Sequence, residues 1–379
     1  MSHAVQVDVQ LCPMETPSDV SAVRRLLDSG VVDARDVVAV IGKTEGSGLG
    51  RDPGREAADA ALRQLFAERL GIDPVAVAER MCIILSGGTP GVLTPHVALL
   101  TRRKSAAPDT HPSLIASRLT VGLAHSAQIL PEHVGRRDHV DRVALAVRQA
   151  MVDAGVSDPA DVHLVLVKAP ALTADGIALA RGRGHDTVTT DLSIGPEGAL
   201  CYSNDASALG VAVALGEVDD TAVTNAAIRS DWDLFSDVAI TSSGGEKSHA
   251  EVLLLANSVH AAGDLRIGHH SMHDILDLGA VMKAVRSATG EALGLDTAAA
   301  RSSIVYLFAK MIIPGSDRIH GRRITLHDDP VGYHVAKAMG GYLLAATTGC
   351  TTNFVSGGER NSHQGPPEGN PLAAIVRVG

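Results

Sequence analysis

Val162-His163-Leu164-Val165-Leu166-Val167-Lys168 and, further along, Asp237-Val238-Ala239-Ile240-Thr241-Ser242-Ser243-Gly244-Gly245 are the two segments on which the fold turns. Each is a short, nearly continuous apolar run that stops at a polar group, the pattern of a strand covered by helices on both faces. The same pair stands on either side of them. Upstream, Val37-Val38-Ala39-Val40-Ile41-Gly42 ends in Lys43, and Met81-Cys82-Ile83-Ile84-Leu85 ends in Ser86-Gly87-Gly88. Downstream, Ser303-Ile304-Val305-Tyr306-Leu307-Phe308-Ala309 ends in Lys310, and Thr352-Asn353-Phe354-Val355 ends in Ser356-Gly357-Gly358. Amphipathic stretches suited to helices fill the gaps: Arg55 to Leu70, Ala206 to Leu215 and Val331 to Ala346. The chain therefore reads as strand-Lys, helix, strand-Ser-Gly-Gly three times over, an α/β architecture. A polar, proline-containing connector at Lys104 to Pro112 and a Gly- and His-rich one at Ala261 to His273 divide it into units 1–105, 106–255 and 256–379.

Composition narrows the function. With 33 basic against 43 acidic residues and 2% aromatics, the chain lacks the cation clusters and stacking platforms that nucleic acids require. No apolar run reaches the roughly 18 residues of a membrane span, and the first residues lack a basic then apolar signal segment, so a cytoplasmic protein is expected. Cys12, Cys82, Cys201 and Cys350 are scattered, as reduced core residues would be.

If three equivalent units pack about a pseudo-threefold axis, Lys43, Lys168 and Lys310 meet Ser86, Ser243 and Ser356 at the centre. A single Ser-Gly-Gly after a strand is an ordinary turn, and a single strand-terminal lysine is an ordinary solvated end. Recurrence in all three units turns both into a site. A serine hydroxyl attacks only when a base removes its proton, and a neutral lysine can be that base. Crowding and burial of ammonium groups lower lysine pKa values from about 10.4, so that one amine is neutral near pH 7. The glycine after each serine (Gly87, Gly244, Gly357) lets main-chain N–H groups approach a carbonyl oxygen. Arg55 and Arg323 each follow a unit's lysine and could clamp further carbonyls, with Arg181 nominated in the second unit.

The segments Gly42-Lys43-Thr44-Glu45-Gly46, Leu85-Ser86-Gly87-Gly88-Thr89, Tyr202-Ser203-Asn204-Asp205-Ala206-Ser207-Ala208-Leu209-Gly210, Ser242-Ser243-Gly244 and Val355-Ser356-Gly357-Gly358, followed by His363-Gln364-Gly365-Pro366, resemble the ring-opening cyclic amide hydrolases, the family of cyanuric acid hydrolase and barbiturase. The resemblance implies three structurally equivalent α/β domains about a pseudo-threefold axis, a Toblerone-like fold with one central site. It implies hydrolysis of a small cyclic imide, with Lys168 as base and Ser243 as nucleophile; Ser242 is the runner-up. Lys43, Ser86, Lys310 and Ser356, together with Arg55 and Arg323, would bind substrate. No organic cofactor is implied. A structural metal, often magnesium, would lie on carbonyls of Gln364, Gly365, Pro366 and Gly369, the hard donors such an ion takes. A homotetramer is also implied.

One departure bears on the substrate. Where the family has Ser-Arg in the second unit, this chain has Asn204-Asp205, so one substrate arginine is replaced, with Arg181 or Arg183 as candidate substitutes. A broken arm suits a less symmetric, substituted ring, and it leaves open a catalytically silent protein that only binds one. Other motifs point nowhere: Gly42-Lys43-Thr44 lacks the first glycine of a phosphate loop, and Gly46-Ser47-Gly48-Leu49-Gly50 is not a dinucleotide fingerprint. His269, His270 and His273 read as surface histidines ahead of a helix.

Overall fold

In the computed structural model, which describes residues 4–47, 52–105, 117–193, 195–289, 301–328 and 332–378, each unit is built on a four-stranded mixed sheet. The first contains β1 (Val5–Pro13), α1 (Ser21–Asp28), β2 (Val37–Thr44), α2 (Pro53–Leu70), the short α3 (Val77–Arg80), β3 (Cys82–Gly87) and β4 (His96–Lys104). The second contains β5 (Arg118–His125), α4 (Arg137–Ala154), β6 (Val162–Pro170), α5 (Ala174–Gly182), α6 (Ala199–Leu215), β7 (Ala239–Gly244) and β8 (Glu251–Ser258). After a two-residue strand β9 (Ala261–Ala262), which adds to the edge of the first sheet beside β1, the third runs through β10 (Leu265–Met272), α7 (Leu278–Thr289), β11 (Ile304–Ile312), the hairpin β12 (Arg318–Ile319) and β13 (Arg322–Arg323), α8 (Gly332–Thr348), β14 (Phe354–Gly358) and β15 (Asn370–Arg377). The connector around 105/106, Gly48 to Gly50 and Val331 lie outside the described residues.

The three sheets share one strand order. It is β3-β2-β4-β1, β7-β6-β8-β5 and β14-β11-β15-β10, with the Lys strand parallel to the Ser strand and antiparallel to its other neighbour. The reading of strands flanked by helices on both faces is corrected by the packing. Among the described residues helices cover one face only, α2 on the first sheet, α4 and α6 on the second, α7 and α8 on the third. The other faces meet one another in a common core, where Val9, Ile41 and Leu100 of the first sheet join Val121, Leu166 and Leu255 of the second and Ile267, Phe308 and Ile375 of the third. Each such side chain contributes roughly 1.5–3 kcal/mol on burial.

Two further expectations change. The boundary near 255 falls inside β8, which pairs with β5 and β6, so the second unit closes after Ser258. The supposed connector at Ala261 to His273 contains β10, paired over eight residues with β15; His269 and His270 are strand residues, and His269 Nδ1 lies 2.9 Å from His163 Nδ1. Cys12, Cys82 and Cys201 are buried, whereas Cys350 is exposed on the turn after α8.

Candidate active site

The strand ladders bring each lysine to a serine. Lys43 is the register partner of Ser86, Lys310 of Ser356 and Lys168 of Ser242, with Ser243 one step further along β7. Parallel pairing of neighbouring strands places these side chains at one sheet edge, as ligand-binding strand ends do in α/β units. All three units then open onto a single cavity lined by Arg55, Ser86, Gly87, Lys168, Asn204, Ser242, Ser243, Lys310, Tyr333, Ser356 and Gly357. Lys43 is fully buried directly behind Ser86.

The three pairs are not used alike. Lys43 Nζ donates to Ser86 Oγ at 2.9 Å and Lys310 Nζ to Ser356 Oγ at 3.4 Å. Lys310 also crosses between units, donating to the Thr241 carbonyl at 2.7 Å. Lys168 Nζ instead donates to the main-chain carbonyl of Ser243 at 3.0 Å, and Ser243 Oγ is buried with no hydrogen-bond partner among the described residues. The expected Lys168 contact is thus to the residue and not to its hydroxyl. The ladder places Ser242, not Ser243, at the position equivalent to Ser86 and Ser356, which corrects the register read from the Ser-Gly-Gly pattern.

The electrostatics follow from burial. Desolvation, reinforced by the Arg55 guanidinium, pushes Lys168 down to about 7 against the opposing pull of the Glu246 carboxylate. Burial likewise lowers Lys310 to about 8 and drives Lys43 well below the lysine range, Lys337 and Lys310 adding to the latter. Glu246 joins two units. Its carboxylate receives Arg55 Nε and Nη2, both at 3.2 Å, and lies 3.5 Å from Lys168 Nζ. These cations hold it down at about 2 in spite of its burial. Gly244 is what leaves room for it, because a Cβ there would fall 2.2 Å from a Glu246 oxygen.

Arg323 is not in this site. It stands exposed on β13, paired with Asp328 at 2.9 Å, because the β12–β13 hairpin carries it away from the strand ends. Arg181 and Arg183 do not reach the cavity either; Arg183 is held by Glu132. The Asn204-Asp205 departure has a structural counterpart. Asp205 accepts from Arg229 Nη1 at 2.6 Å, from Ser362 Oγ at 2.5 Å and from His363 N at 3.3 Å, fastening the segment after Ser356 to α6. That segment leads into the expected metal loop. There Gly365 N and Gly369 N donate to Ser236 O and Pro366 O, both at 2.8 Å, and Gln364 Oε1 accepts from Thr241 N at 2.7 Å. With the Gln364 side chain engaged, the four residues' coordinating capacity is main-chain carbonyl oxygen, which fits a hard cation. Among the described residues, side chains grouped at metal-ligand spacing occur elsewhere, at His125, His249 and Glu251, where Lys247 already neutralises Glu251 at 2.5 Å.

Residues 8–377 match the family described as amidohydrolase ring-opening protein. The chain belongs to that family. It is 50% identical over 372 residues to a cyclic amide hydrolase of Pseudofrankia inefficax, covering 98% of this chain and 95% of that one. It is 41% identical over 367 residues to a cyanuric acid amidohydrolase of Bradyrhizobium diazoefficiens, covering 96% and 95%. A solved cyanuric acid hydrolase superposes with a TM-score of 0.91 at 37% identity, over 99% of this chain and 100% of that one. The cyanuric acid hydrolase of A. caulinodans gives 0.86 at 35%, over 99% of each. The threefold architecture expected from the repeats is therefore the fold of the family.

Three participants escaped the sequence reading. Glu246 meets Arg55 across 191 residues of chain, so no local pattern announces it. Lys337 donates to the Gly87 carbonyl at 3.0 Å and is lowered by burial to about 7. Tyr333 lines the cavity one turn before Lys337 on α8, but it stands closer in sequence to Ser356 than Arg55 does to Ser86, so spacing from the serine strand does not announce it.

Proposed function

We propose that this chain opens a small cyclic imide by serine–lysine chemistry. The observation carrying the reading is the convergence of three lysine–serine pairs from three sheets on one cavity, with the buried Ser243 hydroxyl lacking a partner among the described residues beside a lysine whose pKa is about 7. Neutral Lys168 takes the Ser243 proton as Oγ attacks a ring carbonyl. The resulting oxyanion is met by main-chain N–H groups at the glycine-bearing strand ends and by the cations around them. Collapse breaks the ring C–N bond, the Lys168 ammonium returns its proton to the leaving nitrogen, and a ring-opened acyl-serine remains. Water, deprotonated by the same amine, attacks that ester; the tetrahedral adduct expels Ser243 and releases a ureido-type acid. Ser86 and Ser356 hold the other carbonyls. A hard cation such as magnesium on the carbonyls of Gln364, Gly365, Pro366 and Gly369 would brace the loop that Asp205 fastens.

The names carried by the relatives, cyclic amide hydrolase and cyanuric acid amidohydrolase, support this reaction class. The test is loss of ultraviolet absorbance from a panel of cyclic imides, with the ring-opened acid identified by mass spectrometry. No loss from any ring, together with tight binding of one, would favour a silent binding protein, the alternative that Asn204 in place of an arginine raises.

A further inference from the structure

The helix between the lysine strand and the serine strand of each unit sends a side chain from its N-terminal half into the central cavity, and the three are chemically unlike: Arg55 from α2, Asn204 from α6 and Tyr333 from α8. Arg55 is a fixed cation aimed by Glu246. Asn204 is an amide whose Oδ1 is buried without a partner among the described residues, an acceptor matched to a ligand N–H. Tyr333 is an aromatic wall. Its ring has Lys337 Nζ 4.2 Å from its centroid, and it lies so close to Gly357 that a Cβ there would come within 2.9 Å of Tyr333 Cε2.

Resting on the ring-opening reading above, the geometry points to a substrate whose edges differ as the arms do: a six-membered cyclic ureide with a carbonyl at Arg55, a ring N–H at Asn204 and an alkyl-substituted carbon against Tyr333, which makes Tyr333 the specificity-determining residue. Cyanuric acid differs from such a ring in carrying a ring N–H where the alkylated carbon stands, and that polar edge would be set against the aromatic wall, whereas an alkyl edge loses water there. A single methylene in an apolar pocket is worth roughly 10- to 200-fold in discrimination.

The probes are cyanuric acid and a 5-alkylbarbituric acid, compared by kcat/KM on the wild-type protein and by calorimetric binding to Ser243→Ala. The expected result is at least tenfold preference for the alkylated ring in both measurements. Tyr333→Phe should keep that preference, and Tyr333→Arg should shift it at least tenfold toward cyanuric acid, with circular dichroism confirming the fold. Equal or better binding of cyanuric acid, binding of neither ring, or an unshifted preference in folded Tyr333→Arg overturns the proposal. Turnover of cyanuric acid at least as fast as the alkylated ring removes this inference and leaves the ring-opening reading standing. Preferential binding of the alkylated ring without turnover of either removes that reading and upholds the specificity assignment.

Discussion

Lys43 with Ser86 and Lys168 with Ser243 stand on the same two neighbouring strands of their units, yet the first pair is joined amine to hydroxyl at 2.9 Å and the second amine to main-chain carbonyl at 3.0 Å. A second serine makes the difference. In the first unit the serine opposite the lysine is followed directly by glycine; in the second, Ser242 takes the ladder position and Ser243 follows it. The repeat supplies three similar frames, and in the frame with one extra hydroxyl Ser243 Oγ is buried without a hydrogen-bond partner among the described residues, while Ser86 Oγ accepts from Lys43.

The largest effect that would break this contrast is Ser243→Ala. It should lower kcat by about a thousandfold or more, as loss of a catalytic nucleophile does, while Ser86→Ala and Ser356→Ala cost about 10- to 100-fold, mostly in KM. Steady-state kinetics on whichever ring is turned over reads all three. If Ser242→Ala collapses and Ser243→Ala does not, the ladder has named the nucleophile and the unpartnered hydroxyl has not.

Next in size, Lys168→Arg should be inactive across the pH range, because a guanidinium stays protonated. In the wild type kcat/KM should climb as pH rises through about 7, where the Lys168 amine becomes neutral. A smaller effect sharpens the comparison. Glu246 raises the Lys168 pKa, so Glu246→Gln should move that acid limb to lower pH, and the loss of Arg55's partner should raise KM several-fold. An unmoved limb would show that the carboxylate positions Arg55 without tuning the base.

The smallest effect is on stability. Lys168, Lys310 and Lys337 sit at about 7, 8 and 7 in the folded protein, below the roughly 10.4 of an unfolded lysine. Between those values the unfolded chain binds more protons, so stability rises with pH. Their contribution should raise Tm by a few degrees from pH 7 to pH 9 in calorimetry, and Lys337→Met should flatten that rise.

The repeat was legible because β2, β6 and β11 are nearly continuous apolar runs, buried along almost their whole length. β10 was not, since Gly268-His269-His270-Ser271 has neither β-branched residues nor alternation; it is a strand because β15 offers it a partner along its full length. The lysines and serines were legible through recurrence, and of the three arms Arg55 and Asn204 were named from the sequence while the third was not. Arg323 follows its lysine at nearly the spacing of Arg55, yet a hairpin intervenes, and the side chain that does reach the cavity from the third unit is an aromatic that no search for arginines would select.

The common core of inward sheet faces sets a limit on how this chain can be divided. An excised third would leave Ile41 and Leu100, or Leu166 and Leu255, or Phe308 and Ile375, bare to water on a flat surface, a template for association with its own kind. Such a fragment should persist only as a self-assembled trimer or an aggregate, and a cut between thirds should be survived only while the pieces stay clasped together.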